Sequence, residues 1–508
     1  MTKIVDTFYQ NAQITPDKIA VYCNGESKTY LQLSTFVNRW SRVLIKKGIK
    51  RGDSVGVLLP NSIEFVALIL VASEIGVVLV PLNPFLPVGA IHKAFEAADV
   101  KHIIAQSNSL ECILPFKSTY FSFVDGLWLS IDENDTAIDS LQSIIETCNS
   151  QFEAVLGAND DDPLILTMTS GSTGDPKPII LKQITKFNRV QAAVELYKIT
   201  TDDRILAATP LYHSLAERLV LIPLLTGGTS VLMPRYSTTE WLRYVNEQLV
   251  TFTIAVSSQL RTIAQKIEMN DQTITSLRCV VSSSERIDPL IKADLISKLH
   301  CEFHECYGAS EIAIATNLDN EWSKIKIQSV GKPAPGVDVK ILLENNTIAP
   351  VGEIGEIICK TPMIFGGYYK RPLLTEKAMW GDYFKTGDLG KIDVDGFLYF
   401  VGRSKDIIIT GGINVYPQDI EIVILGNTSI LECAAFALPD EQLGEKIAIA
   451  IVFKPNLKCG KRELRQLCAE LLADYQQPRE YYVLDELPKN NVGKVMKNAL
   501  LSICKIKL

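Results

Sequence analysis

The sequence predicts an α/β protein: a large N-terminal domain of parallel α/β sheets plus a small β-barrel-like subdomain, then a small α+β C-terminal domain. From Tyr30 onward, segments of helical period such as Leu31 to Lys47 alternate with short apolar runs such as Val55 to Leu59 and Val77 to Val80. Parallel strands joined by crossover helices produce that alternation. Between Ile341 and Tyr399 the texture changes to short strands broken by Asn345-Asn346, Gly352, Gly355, Gly366-Gly367 and Asp395-Gly396. These read as hairpins of a small sheet or barrel closing the large domain. After Gly402-Arg403-Ser404-Lys405-Asp406 about a hundred residues remain with strand and helix signals of their own, enough for a small domain. The division expected is residues 1–404 and 405–508, with the junction at Lys405 and no low-complexity linker.

The most apolar run, Phe65 to Leu82, is interrupted by Ser73 and Glu74, whereas a membrane span needs about 20 uninterrupted apolar residues. It is expected to be a buried helix followed by a strand. The 508 residues, 47% hydrophobic and 21% charged, fit a folded multidomain protein and exclude fibrous and disordered classes. A net charge of -7 disfavours nucleic acid and anionic membrane as partners. Eleven cysteines without paired spacing suit a reducing compartment. Met1 to Pro16 lacks the basic-then-apolar pattern of a signal peptide, and the final Ile506-Lys507-Leu508 has a bulky residue where a peroxisomal address needs a small one. A cytoplasmic location is the expectation.

The run Leu164, Ile165, Leu166, Thr167, Met168, Thr169, Ser170, Gly171, Ser172, Thr173, Gly174, Asp175, Pro176, Lys177 reads as a strand emptying into a hydroxyl- and glycine-rich loop. Small residues let backbone N–H groups converge on an anion, hydroxyls add donors and Lys177 adds charge, the chemistry of a polyphosphate site. No Gly-Lys-Ser/Thr follows, so it is not a Walker A loop. A random cluster of this composition is usually a surface turn; here the order of residues matters.

The run resembles the phosphate-binding signature of the adenylate-forming superfamily, which includes acyl-CoA synthetases, luciferases and peptide-synthetase adenylation domains. Further motifs follow in that family's order: Pro81-Leu82-Asn83-Pro84, Thr209-Pro210-Leu211-Tyr212-His213-Ser214, Tyr307-Gly308-Ala309-Ser310-Glu311, Gly331-Lys332-Pro333-Ala334-Pro335-Gly336, Tyr383-Phe384-Lys385-Thr386-Gly387-Asp388, Gly402-Arg403-Ser404-Lys405-Asp406 and Pro488-Lys489-Asn490-Asn491-Val492-Gly493-Lys494. Together they cover most of the chain. The departures are Pro178 for a Gly, Ser310 for a Thr, Lys497 for an Arg, and Ser282-Ser283-Ser284-Glu285-Arg286 where small residues are usual beside adenine and acyl group.

The resemblance implies ATP-dependent activation of a carboxylic acid to acyl-AMP, then transfer to a thiol, making this an acid–thiol ligase of acyl-CoA synthetase type. Coenzyme A is the expected acceptor; a carrier-protein phosphopantetheine is the alternative, and a nucleotide-binding pseudoenzyme is disfavoured because Lys494, Glu311 and Asp388 are all present. By resemblance, Thr169, Ser170, Gly171, Ser172, Thr173, Gly174, Lys177, Ser283, Ser284, Tyr307, Gly308, Ser310, Asp388 and Arg403 contact ATP or AMP. Tyr307 stacks on adenine. A carboxylate suits Mg²⁺, and Glu311 matches the metal position. Asp388 can accept from both ribose hydroxyls, and Arg403 offers a rigid donor fork nearby. Lys494 would stabilise the charge that builds up as a carboxylate attacks the α-phosphate. Lys405 matches the hinge, and Gly411 and Gly412 leave room for the thiol's pantetheine arm.

His213 matches an aromatic or His position beside the acyl pocket, whose other candidates are Ser257, Ser258, Ser282, Ser283 and Ala309; their mixed size suits a fatty or an aryl acid. No Asp stands at Tyr212-His213-Ser214 to bind an α-ammonium, so a free amino acid is a poor candidate. Arg218 and Arg286 could hold a second carboxylate, although surface or helix-terminal roles are commoner for Arg. His300-Cys301-x-x-His304-x-Cys306 has metal-ligand residue types, but strand alternation sends Cys301 to one face and His304 with Cys306 to the other.

Overall fold

The computed structural model describes residues 2–132, 139–141, 143–144, 157–170, 176–270, 274–283, 287, 289–489 and 495–506. By packing, the chain forms two compact units: residues 1–327, 331–338 and 360–384, and residues 328–330, 339–359 and 385–508.

The first unit holds two sheets. In the nine-stranded one, Glu302–Tyr307, Cys279–Ser283, Phe252–Val256, Arg204–Ala207, Thr229–Leu232 and Ile19–Cys23 lie side by side in that order, all parallel. Antiparallel strands extend both edges. In the six-stranded sheet, Trp128–Ser130, His102–Ala105, Ser54–Leu58, Val78–Pro81 and Pro163–Ser170 are parallel, and Pro176–Lys182 adds an antiparallel edge. These are the parallel α/β sheets the alternating pattern predicts.

The helix Ile63–Ile75 shows how sequence becomes position. Ser62 caps it by accepting from the Phe65 amide at 3.2 Å, and Gly76 ends it in the left-handed conformation at φ 75°. It is apolar all round, as a helix must be when every side faces protein, and Phe65 through Ile75 are buried. Its two polar interruptions are satisfied inside. The Ser73 hydroxyl lies 2.8 Å from Gln183 Oε1, while the Glu74 carboxyl accepts from Tyr9 at 3.0 Å and from Ser41. Burial raises the Glu74 pKa. Among the described residues no helix is long and apolar enough to cross a membrane.

The second unit holds most of a small sheet in which Tyr383–Ile392 and Leu398–Arg403 pair antiparallel, with Gly355–Lys360 and Asp338–Leu342. A further sheet has Ile430–Asp440 and Gly444–Phe453 as a long antiparallel pair, with the hairpin Ile408–Thr410 and Ile413–Val415 on one side. Glu480–Val483 runs parallel to Gly444–Phe453, and Pro417–Leu425 and Lys461–Leu471 pack as helices.

One buried ion pair fixes the strand that leads into the candidate site. Lys292, on the helix Pro289–Leu299, pairs with Glu305 of Glu302–Tyr307 and donates to the Ile327 carbonyl at 2.6 Å. Both side chains are nearly inaccessible to water. Removing one member of such a pair strands the other charge, so Lys292→Met is expected to cost about 3–5 kcal/mol in urea unfolding. The double change Lys292→Met with Glu305→Leu should recover much of that loss. A single variant as stable as the parent would show that the pair does not hold this strand.

Candidate functional site

In open α/β sheets, ligands bind beyond the carboxyl ends of the parallel strands, where side chains and backbone groups point into a crevice. His213, Ser257, Ser282, Ser283 and Tyr307 to Glu311 lie there. Four adjacent parallel strands, Arg204–Ala207, Phe252–Val256, Cys279–Ser283 and Glu302–Tyr307, end on or just before Thr209 to Ser214, Ser257, Ser283 and Tyr307 to Glu311.

The turn after Tyr307 is tight. A Cβ on Gly308 would stand 1.8 Å from the Ala313 carbonyl oxygen, so only glycine fits. The turn closes as the Ala313 amide donates to Ala309 and the Ala315 amide to Tyr307, both at 2.8 Å. Glu311 is then held from two sides. Its carbonyl accepts from the Phe365 amide at 2.7 Å, and its carboxylate Oε1 accepts from the Tyr368 hydroxyl at 3.2 Å. Beneath the turn lies Arg189, on the helix Gln183–Tyr197 and 2% exposed. It donates to the carbonyls of Met363 (3.1 Å), Ser310 (2.8 Å) and Glu311 (3.3 Å) and to the Ser214 hydroxyl (3.1 Å). Burial, and secondly the charge of Arg218, push its pKa down to about 9.

Beside this turn, the Ser257 and Ser282 hydroxyls lie 3.4 Å apart and buried, while Ser258, Ser283, Ala309 and Ser310 are half-buried. His213 caps the start of the helix Ser214–Thr226, its ring 4.6 Å from that of Tyr212. Its Nε2 is sealed from solvent and has no hydrogen-bond partner. Burial pushes its pKa down to about 4.

The strand Pro163–Ser170 pairs with Pro176–Lys182 up to Ser170 opposite Pro176, which sets Lys177 across from Thr169. Pro178 lies within the second strand, opposite Met168, where its carbonyl accepts from the Tyr369 amide at 2.9 Å. Gly171, Ser172, Thr173 and Gly174 of the phosphate loop lie outside the described residues, as do Ser284, Glu285, Arg286 and Lys494.

In the second unit Asp388 and Arg403 face each other across neighbouring strands, Arg403 Nε standing 3.2 Å from Asp388 Oδ1. Asp388 is buried and Arg403 partly exposed. Lys405 is exposed in a single helical turn, Ser404–Asp406. Gly411 and Gly412 form the two-residue turn of a hairpin, Thr410 paired with Ile413, both with positive φ (58° and 80°). Such a turn favours glycine on conformational grounds alone.

His304 and Cys306 share a strand face, with Cys301 just before the strand. The donor atoms of Cys279, Glu302 and His304 lie within 4.8 Å of one another. His304 Nδ1 is already engaged with Asn317 at 3.0 Å, and burial raises the Cys279 pKa, which opposes the thiolate a metal requires.

Sequence reasoning missed Arg189 and Tyr368, which orient Glu311, and Asn61, which donates to the Thr209 and Met233 carbonyls and accepts from the Leu211 amide at 2.7 to 3.0 Å. A faint signal for Arg189 was a charged residue amid the helical run up to Tyr197. Arg218 corrects an expectation: it is neither a surface nor a helix-terminal residue but lies mid-helix and 5% exposed.

His213 generates a test. With its folded pKa near 4 and the unfolded value near 6.5, it is neutral in the folded protein above that range. The unfolded chain binds the extra proton between those values, so this contribution to stability is complete above about pH 6.5 and lost as pH falls toward 4. His213→Phe should therefore lose less melting temperature than the parent between pH 7.5 and pH 5. An equal loss would place the imidazole in water.

The AMP-binding enzyme family model matches residues 8–369, and the model for the AMP-binding enzyme C-terminal domain matches 419–494. The chain is 30% identical to a long-chain-fatty-acid–CoA ligase, FadD13, of Mycobacterium tuberculosis, over 97% of this chain and 96% of that protein. It is also 30% identical to a 2-succinylbenzoate–CoA ligase of Bacillus licheniformis, over 97% and 98%. Among solved structures, it resembles O-succinylbenzoate coenzyme A synthetase of Bacillus subtilis in complex with ATP and magnesium ion, with a TM-score of 0.85 and 27% identity over 97% and 98% of the two chains. The fold, the residues gathered at the strand ends and these matches agree: the chain belongs to the AMP-binding, adenylate-forming enzyme family.

Proposed function

We propose that this protein is an AMP-forming acid–CoA ligase: it condenses a carboxylic acid with ATP to acyl-AMP and pyrophosphate, then transfers the acyl group to the thiol of coenzyme A. The observation that carries this reading is the clustering of Tyr307 to Glu311, Ser283 and His213 beyond the carboxyl ends of adjacent parallel strands, with Glu311 oriented by the Tyr368 hydroxyl. The relatives named for CoA ligation favour coenzyme A over a carrier-protein phosphopantetheine, which would meet the same residues. Free cysteines among the described residues suit a reducing compartment, and we place the enzyme in the cytoplasm.

The donor set suits Mg²⁺. Glu311 Oε2 accepts no hydrogen bond from a described residue, which leaves a hard oxygen for a hard cation, and the ion, when bound, would neutralise phosphate charge. Tyr307 stacks on adenine and Asp388 accepts from the ribose hydroxyls, with Arg403 beside it. Thr169 to Gly174 and Lys177 cradle the phosphates. Ser257, Ser258, Ser282 and Ala309 line the acyl pocket with His213, whose neutral ring adds no charge at physiological pH. Lys494 stabilises the negative charge shared by carboxylate and α-phosphoryl oxygens during attack.

Residues 405–508 turn about Lys405 between the two half-reactions, a division set by a hinge rather than by packing. Lys494 serves the first half and the Gly411-Gly412 turn the second, and a few backbone torsions absorb the change.

Acid-dependent ATP–pyrophosphate exchange tests the assignment, and hydrolysis of ATP to ADP in its place would refute it. Lys494→Ala should lower exchange by about 10²- to 10³-fold while preformed acyl-AMP is still converted to thioester. Lys405→Pro, which fixes φ, should do the reverse, with exchange near normal and single-turnover thioester formation greatly slowed. Parallel loss of both rates in either variant would mark that residue as structural.

A further inference from the structure

Within the stretch Thr209 to Arg218, four polar atoms are sealed from solvent without a hydrogen-bond partner: Thr209 Oγ1, His213 Nε2, Glu217 Oε1 and Arg218 Nε. Buried polar groups are nearly always paired, and a group left unpaired in a binding region is a donor or acceptor awaiting a ligand. Arg218 departs furthest from that rule. It is 5% exposed, and among the described residues its guanidinium has neither a hydrogen bond nor an ion pair.

Its surroundings make the deficit worse. Lys186, Arg189 and Arg218 are all buried on the helices Gln183–Tyr197 and Ser214–Thr226, and the carboxylate among them, Glu217, is paired with Lys186. Arg189 spends its donors on neutral carbonyls and a hydroxyl. Among the described residues, three cations against one carboxylate leave two positive charges uncompensated; counting Glu311, whose charge reaches Arg189, still leaves one. A buried cation is stable only when an anion meets it. The charge of Arg218 also acts on Tyr197 and Cys306, and the Cys306 thiol bonds with Ser283. Arg218 therefore lies beside the strand that ends at Tyr307, next to the candidate acyl pocket.

We propose that Arg218 binds a second carboxylate on the substrate, so that the acid this enzyme activates is a dicarboxylic acid. The inference rests on the ligase reading above and specifies its substrate class. A guanidinium presents a planar fork that matches a carboxylate in two parallel hydrogen bonds. The unpartnered Thr209 hydroxyl and His213 ring supply further polar contacts on the same stretch. One carboxylate reacts at the α-phosphate, and the other fills the charge deficit. A simple fatty acid would bury its alkyl tail and leave Arg218 unpaired.

The test is a panel of α,ω-dicarboxylic acids from malonate to suberate, with phthalate as an aryl member. Each is compared with its monomethyl ester in ATP–pyrophosphate exchange, using the full-length protein and its Arg218→Met and Arg218→Lys variants. For the best diacid, kcat/KM should exceed that of its half-ester by at least about 30-fold in the parent. Arg218→Met should collapse that ratio, mainly through KM for the diacid, with Arg218→Lys intermediate. Half-esters or fatty acids activated as well as the diacids would overturn the proposal, and so would an Arg218→Met that lowers both substrates alike or raises KM for ATP. Should the variants fail to fold, the parent's diacid-to-ester ratio decides alone. Absence of exchange with every acid, fatty acids included, would instead refute the ligase reading itself.

Discussion

The buried guanidinium of Arg189 is the constraint on which the candidate site depends. A planar group with five donors can tie together segments that are far apart in sequence, and Arg189 joins its own helix to Ser214, to the Ser310-Glu311 turn and to Met363. Those segments carry His213, the residues after Tyr307, and the approach to Tyr368. Without this tie, nothing would join the helix Gln183–Tyr197 to the Ser310-Glu311 carbonyls, and Glu311 would keep only its bonds to Phe365 and Tyr368. With it, Glu311 is held through its carbonyl by Phe365 and Arg189 and through its carboxylate by Tyr368, which is the preorganisation that charge stabilisation demands.

The same region concentrates buried charge. The helix Ile63–Ile75 is built from aliphatic side chains, and its buried Ser73 and Glu74 both find hydrogen-bond partners. Around Lys186, Arg189, Glu217 and Arg218 the matching is incomplete. Local rules of stability are broken mainly where function requires it, and the imbalance falls beside the strand ends where the acid is expected to bind.

Local pattern made the architecture legible. The helical run before Lys47, the apolar run from Phe65 and the apolar run from Leu164 each announced an element from neighbouring residues alone. Long-range partnerships were not legible. Tyr368 meets Glu311 across 57 residues and Arg189 meets Met363 across 174, and no periodicity encodes such pairings. The same holds for Arg218: a charged residue in a helix is usually solvated, and only the fold reveals that this one is enclosed by its neighbours.

The central claim is that a carboxylate attacks the α-phosphorus of ATP, and isotope transfer reads that step directly. An accepted acid labelled with oxygen-18 in its carboxyl group should, in the presence of ATP, Mg²⁺ and coenzyme A, pass label to AMP as thioester forms. Label recovered in inorganic phosphate with ADP as the nucleotide product would mean attack at the γ-phosphorus, and would contradict the account.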